Sequence, residues 1–422
     1  MIESMKLCTA TLFTISLLQA QSTWFDPQML EKPALRKAFD SVKARESQLI
    51  EEWIRLTETS APSGKEQRRG TYIRAELAKL SVVEIHTDDM GNISAVRKGT
   101  GGGRSVVFAA HMDTVFPEGT PLKVKRDGNT LRAPGIGDDT GNLMATLEMF
   151  RTLDRAGIKT KGDLIFLASV QEETGLIGMR HWLPKSGYKP DLVVAVDLAA
   201  PEVWYGAFRI DQLKFIYTSK GAHTLESRGQ PNPAHAVARA IEKIYEIQLP
   251  PVASGIGAFK LPVINVGMIN GGTVVNAIPR EAWFTVDLRS LDSSTQDRLS
   301  TAVVTAAKGA AESIGVGFKM ENKMGIDYGN ALSAEQRRGH PLVHTATDLA
   351  NHFRKPGIPV MEPSDAGATD ANIGISLGKP SVAVGAISYK GPHTLEEAAE
   401  ADSLVPGVKM LVSLAIACSV MN

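Results

Sequence analysis

The histidines and acidic residues of this chain gather just past its apolar runs. His111-Met-Asp113 directly follows Val106-Val-Phe-Ala-Ala110. Alternate residues on an extended chain face the same side, so His111 and Asp113 can lie together. Such a pair suits an imidazole that binds a metal through one nitrogen while a carboxylate orients the other. Asp138-Asp139 closes the glycine-rich stretch Ala133-Pro-Gly-Ile-Gly137 where a helical pattern begins. One short acidic side chain there serves as a helix cap, and a second is merely favourable near the helix dipole. Gln171-Glu-Glu173 follows Leu164-Ile-Phe-Leu-Ala-Ser169. Adjacent glutamates can open a solvated helix, or one can ligate metal while the other moves a proton. Asp197 ends the run Leu192-Val-Val-Ala-Val196, and His393 in Gly391-Pro-His-Thr394 follows Ser381-Val-Ala-Val-Gly385. Each residue taken singly is an ordinary polar strand end. Together they follow apolar strands or open helices, and open α/β sheets build their sites beyond the carboxyl ends of strands. Two histidines with several carboxylates and no cysteine form a ligand set of the zinc-hydrolase kind.

These residues need a frame to hold them. Leu49, Ile50, Trp53, Ile54 and Leu56 repeat at helical spacing, as do Leu143, Met144, Leu147 and Phe150. Helices alternating with wholly apolar strands predict a mainly parallel sheet covered on both faces. From about Arg209 the texture changes. Gln212 to Ser219 alternates like a half-exposed strand, Ala234 to Ile247 and Ser293 to Ile314 read as helices, and Val263 to Gly267 and Trp283 to Leu288 read as strands. That order suggests an α+β (βαββαβ) unit with one open sheet face. The expected architecture is an α/β catalytic domain in two parts, 21–208 and 330–422, interrupted by an inserted domain at 209–329. His340 and His344, four residues apart, read as an exposed helix face.

The ordered set His-x-Asp, Gly-x-x-Asp-Asp, Glu-Glu, a lone Asp and a late His resembles the two-zinc exopeptidases and amidohydrolases. That family includes peptidase T, carboxypeptidase G and succinyl-diaminopimelate desuccinylase. The resemblance runs from about Leu49 to the end of the chain. It implies that Asp138 bridges two zinc ions, with cobalt or manganese as alternative metals. His111 and Asp197 then complete one metal shell, and Glu173 and His393 the other. It further implies that Glu172 is the general base and acid, that Asp113 orients His111, and that the Asp138–Asp139 peptide bond is cis. Asp139 is left for the turn and the helix cap. The inserted unit resembles the family's lid and dimerisation domain. Gly221-Ala-His-Thr224 there makes His223 a catalytic candidate, acting in many members on the partner subunit's site. Asn276 in Asn270-Gly-Gly-Thr-Val-Val-Asn276, Arg289 in Val286-Asp-Leu-Arg289, and Gly367 and Thr369 in Gly367-Ala-Thr-Asp370 become substrate contacts. Thr140 stands where many members carry lysine. Asp rather than Glu at position 197 leans toward the aminopeptidase and tripeptidase branches.

Composition narrows the rest. The 46 basic and 46 acidic residues cancel, which offers no electrostatic footprint for nucleic acid or an anionic membrane. With Cys8 and Cys418 the only cysteines, neither a disulfide framework nor a thiolate cluster forms. Lys6 before Leu7 to Leu18, with a small residue at Ala20, has the pattern of a signal peptide over 1–20. The run is too short to span a bilayer, which takes about 20 apolar residues. The expectation is therefore a secreted or periplasmic homodimer without membrane attachment once the leader is removed. It would hydrolyse short peptides as a zinc metallopeptidase. An N-acyl-amino-acid amidohydrolase or carboxypeptidase is the alternative within the family, and a non-catalytic binding protein on the same scaffold is the alternative outside it.

Overall fold

The structure is a computed structural model that describes residues 23–421 apart from 82, 253–259 and 327–328. The expected leader, 1–20, lies outside the described residues. A seven-stranded sheet runs in the order Val83–Thr87, Ile93–Arg97, Leu164–Ser169, Val106–His111, Leu192–Ala199, Ser381–Ile387 and Val203–Trp204. The middle strands, from Leu164–Ser169 through Ser381–Ile387, are mutually parallel. The flanking strands pair antiparallel. The parallel strands are the wholly apolar runs of the sequence, because a strand covered on both faces has no side on which to place polar groups.

Helix Thr140–Arg155 packs with helix Leu404–Ser419 against one face of the sheet, where Phe108, Phe166, Leu143, Leu147 and Leu411 are fully buried. Phe150 meets Phe166 edge-on at 5.6 Å. Burying each such side chain contributes about 1.5–3 kcal/mol. Met179 and Trp182 of helix Ile177–Lys185 and Ile373 of helix Ala371–Ser376 cover the other face. The stretch Ala401–Ser419 is long and apolar enough to cross a membrane, but 83% of it is buried here. It is a core helix of this fold.

Arg209 to Ile326 builds its own antiparallel sheet, in the order Val263–Gly271, Glu281–Ser290, Arg209–Thr218 and Gly317–Ile326. Helices Pro233–Tyr245 and Ser293–Ile314 cover one face of it around Phe215, Tyr217, Phe284 and Val303. His340 and His344 depart from the exposed-face expectation. The His340 ring accepts the Leu342 N–H at the start of helix Pro341–Phe353 and meets Trp24 edge-on, while His344 is buried. The N-terminal segment around Trp24 covers what the helical spacing alone reads as a free face.

A polar network stiffens the helix behind the Asp138-Asp139 turn. Glu148 is fully buried, paired with Arg151 at 3.4 Å and also with Arg155, while Arg151 reaches Glu52 at 2.7 Å and also binds Glu76. Removing one partner of a buried pair leaves an uncompensated charge. Arg151→Ala is therefore expected to lower unfolding free energy by about 3 kcal/mol, read from urea denaturation curves.

Candidate metal centre

The parallel strands end at one edge of the sheet, and their last residues meet there. His111 pairs in register with Ser169, three residues before Glu172. Ala109 pairs with Ala195, so His111 and Asp197 come level two residues later. His111 Nε2 lies 3.2 Å from Asp138 Oδ1 and 3.5 Å from Asp197 Oδ1. The second imidazole, His393, places Nε2 at 3.3 Å from Asp138 Oδ2 and 3.1 Å from Glu173 Oε1. Asp138 thus faces one histidine with each oxygen. That geometry suits a carboxylate shared between two cations.

The Asp138–Asp139 peptide bond is cis. Asp139 occupies the position before helix Thr140–Arg155, but its side chain does not cap the helix. Its Oδ2 instead accepts the His111 N–H at 2.9 Å, and its buried Oδ1 has no hydrogen-bond partner. The helix-cap expectation for Asp139 is corrected here: the turn points the carboxylate back at the His111 strand end. Asp139 also comes within ligand range of His111 and Asp197, yet of the two aspartates it is Asp138 that meets both imidazoles.

Asp113 is a hub. His111 Nδ1 lies 3.0 Å from the Asp113 carbonyl and 3.4 Å from its carboxylate. The same carboxylate accepts the Glu172 N–H at 3.0 Å, the Glu173 N–H at 3.2 Å and the Ser63 hydroxyl at 2.6 Å. One buried side chain therefore orients a histidine and places both glutamates. Buried Arg69 donates to the Met112 carbonyl at 2.6 Å and holds that loop from beneath. Its pKa is pushed down to about 10 by burial, against the pull of Asp113 and Asp139.

Crowding shapes the proton affinities. Burial, reinforced by Asp197, Glu173 and Asp370, pushes Glu172 well above the usual carboxylate range. Burial likewise lifts Asp197 to about 7. For Asp138 burial acts in the same direction, but hydrogen bonds and charges from His111 and His393 outweigh it and hold the group low. His393 is raised to about 10 by Asp138 and Glu173. The backbone at His393 is left-handed, with φ 62°, a conformation that side-chain-bearing residues seldom hold outside sites that require it.

The remaining candidates make other contacts. His223 and Asn276 stand side by side, since the Thr224 N–H donates to the Asn276 carbonyl and His223 pairs in register with Ala277. With Lys220, Asn270 and Arg280, His223 lines a groove of about 600 Å³ on the inserted unit. Among the described residues no hydrogen bond or ion pair ties His223 or Asn276 to the His111 cluster. Arg289 engages Asp287 with two donors, at 2.9 and 3.1 Å. The carbonyl of Gly367 accepts the Phe208 N–H, and buried Thr369 bonds within its own loop. The next residue, Asp370, accepts the Ser169 hydroxyl at 2.5 Å. Sequence reading missed Glu397, whose carboxylate accepts the N–H groups of Gly135 (2.7 Å), Gly137 (2.7 Å) and Asp138 (2.9 Å). Nothing in its spacing marks it, because its partners are backbone groups remote in the chain.

The donor set fits a pair of divalent cations: imidazole nitrogens and carboxylate oxygens with no thiolate. Asp138, Glu173 and His393 place one ligand atom each within 4.8 Å of one another, as do His111, Glu172 and Glu173. A cation in this edge relieves repulsion that the imidazoles alone leave in place. Zinc added to chelator-treated protein is expected to stabilise it by about 2.7 kcal/mol at one hundred times the dissociation constant. Asp138→Ala should lose most of that gain in the same melting experiment.

The match with known proteins agrees with this geometry. Residues 107–417 match the model of Peptidase family M20/M25/M40. The uncharacterized protein YqjE of Bacillus subtilis is 25% identical over 399 residues, covering 87% of this chain and 98% of that protein. The aminopeptidase PepT from Bacillus cereus shares the fold with a TM-score of 0.69 at 22% identity, over 87% of this chain and 97% of its own. A tripeptidase from Staphylococcus aureus superposes with a TM-score of 0.71 at 21% identity, over 87% and 97% of the two chains. The family match over most of the chain, and the histidine–carboxylate edge that it spans, place this protein in Peptidase family M20/M25/M40, as a hydrolase of the peptidase and amidohydrolase kind.

Proposed function

We propose that this protein is a two-zinc exopeptidase that cleaves amide bonds of short peptides, and that it works as a homodimer. The observation that carries this reading is Asp138, set between two histidines with one oxygen toward each. His111 and Asp197 would hold one metal with Asp138, and Glu173 and His393 the other. Bound there, the cations supply an activated water and polarise the scissile carbonyl. Glu172 takes the proton of the attacking water and passes it to the departing amine. Burial and the neighbouring carboxylates raise its proton affinity, which suits a group that must both accept and release a proton. Asp113 keeps Glu172 aimed by holding its backbone N–H.

His223 and Asn276 would meet the substrate from the inserted unit, His223 reaching the partner subunit's site and stabilising the oxyanion. The fold likeness to an aminopeptidase and a tripeptidase supports peptides as substrates, as does Asp at position 197. Export rests on the leader pattern at Lys6 to Ala20 and is tested by sequencing the N-terminus of the mature protein.

Free and N-acylated di- and tripeptides separate the readings. Hydrolysis of free tripeptides, abolished by chelator and restored by zinc, is expected. Turnover confined to acylated amino acids would move the assignment to an amidohydrolase, and no chelator-sensitive turnover would leave a binding protein. Glu172→Gln should lower kcat by about 100- to 10,000-fold while the protein retains its metal, measured by elemental analysis.

A further inference from the structure

We infer that Glu397 is a positioning residue for Asp138, and that it sets the affinity of the metal shared by Asp138, Glu173 and His393. This inference rests on the metal reading of the site above. The connection begins as ordinary sheet pairing. Strand Ala398–Glu400 pairs antiparallel with strand Thr130–Arg132, Ala398 opposite Arg132. One step further the Ala133 N–H donates to the Glu397 carbonyl at 3.1 Å. The backbones then part, and the Glu397 side chain takes over the pairing. Oε2 accepts the Gly135 N–H, and Oε1 accepts those of Gly137 and Asp138.

The carboxylate is fully buried and acts as a three-acceptor cradle for the turn that presents Asp138. The same C-terminal segment grips that turn from a second side. A Cβ on Gly137 would lie 2.2 Å from the Tyr389 ring, so the ring packs directly on the turn backbone. Four residues before Glu397 stands His393, a proposed ligand. One short segment thus supplies a metal ligand and also fixes the neighbouring bridge. Only a carboxylate fits the cradle. In glutamine one oxygen becomes an NH₂ donor, which would face a backbone N–H and accept nothing.

Cobalt(II) titration of the metal-free protein, followed by its visible absorption, tests the inference without using turnover. The wild type is expected to saturate at two equivalents. In Glu397→Gln the second equivalent should bind about 10- to 100-fold more weakly, the range for loss of a group that orients a ligand. Its cobalt spectrum should come to resemble that of His393→Ala. Glu396→Gln, at the exposed neighbouring residue, should titrate like the wild type. A purely structural role would lower the melting temperature of the metal-free variant and leave its cobalt affinity unchanged, and that result overturns the inference. If Glu397→Gln does not fold, Glu397→Asp carries the same test, since it keeps the charge but falls short of the turn. Wild-type affinity in Glu397→Asp then overturns it. A wild type that takes up no cobalt refutes the metal reading itself, and the inference with it.

Discussion

Like charge crowded into one edge of a buried sheet is the constraint on which this structure turns. Asp113, Asp138, Asp139, Glu172, Glu173, Asp197 and Asp370 all approach the ends of the parallel strands, with His111, His393 and buried Arg69 as the near cations. Two carboxylates 4 Å apart repel by about 4 kcal/mol at an effective dielectric constant of about 20. An edge so loaded does not assemble for its own stability. It needs a rigid support that forces the strands to end together, and it offers a strong reward to any cation that enters.

The support is the doubly covered sheet. Strands buried on both faces, with Phe108, Phe166, Leu143 and Leu411 packed against one side, leave no room for a strand to slide. A one-residue slip would turn His111 to the opposite face. Trp53 adds a tie of its own, its indole N–H donating at 2.7 Å to the Ile136 carbonyl just before the turn. Gly141 lets that indole approach, since a Cβ there would stand 2.8 Å from the Trp53 ring. The packing core and the reactive edge are therefore one mechanical unit.

Within the edge, backbone N–H groups do much of the work. Asp113 collects those of Glu172 and Glu173, Asp139 that of His111, and Glu397 those of the 135–138 turn. A carboxylate that accepts several N–H groups is held in place without a compensating cation, which leaves the site's negative potential free for metal. Arg69 alone brings a full positive charge beneath the loop, and it too is bound to carbonyls, those of Met112 and Thr59. Support and ligation are thus given to different groups. Asp138 and Glu173 face the Nε2 atoms of the two imidazoles, while Asp113 holds the far side of His111 together with backbone N–H groups and Glu397 faces the chain alone.

The parallel strands were legible in the sequence because continuous apolar runs have one stable setting, between two layers of helices. The candidate ligands were legible because each follows such a run or precedes a helix, near the carboxyl ends of the strands where open α/β sheets build their sites. That placement marked His111, the Asp138-Asp139 and Glu172-Glu173 pairs, Asp197 and His393, and the family resemblance chose Asp138 and Glu173 from their pairs and divided the ligands between two metals. The role of Asp139 could not be read locally. A helix start explains an aspartate, and only the return of the His111 strand past the turn shows where that carboxylate points. Glu397, Arg69 and Asp370 were silent for the same reason: their partners are backbone atoms or a serine brought near by the fold. Residue type and local periodicity determined which groups could bind metal and on which elements they ride. The tertiary structure decided which carboxylates face the metal edge and which hold it in place, because that depends on distances between strands and turns far apart in the chain.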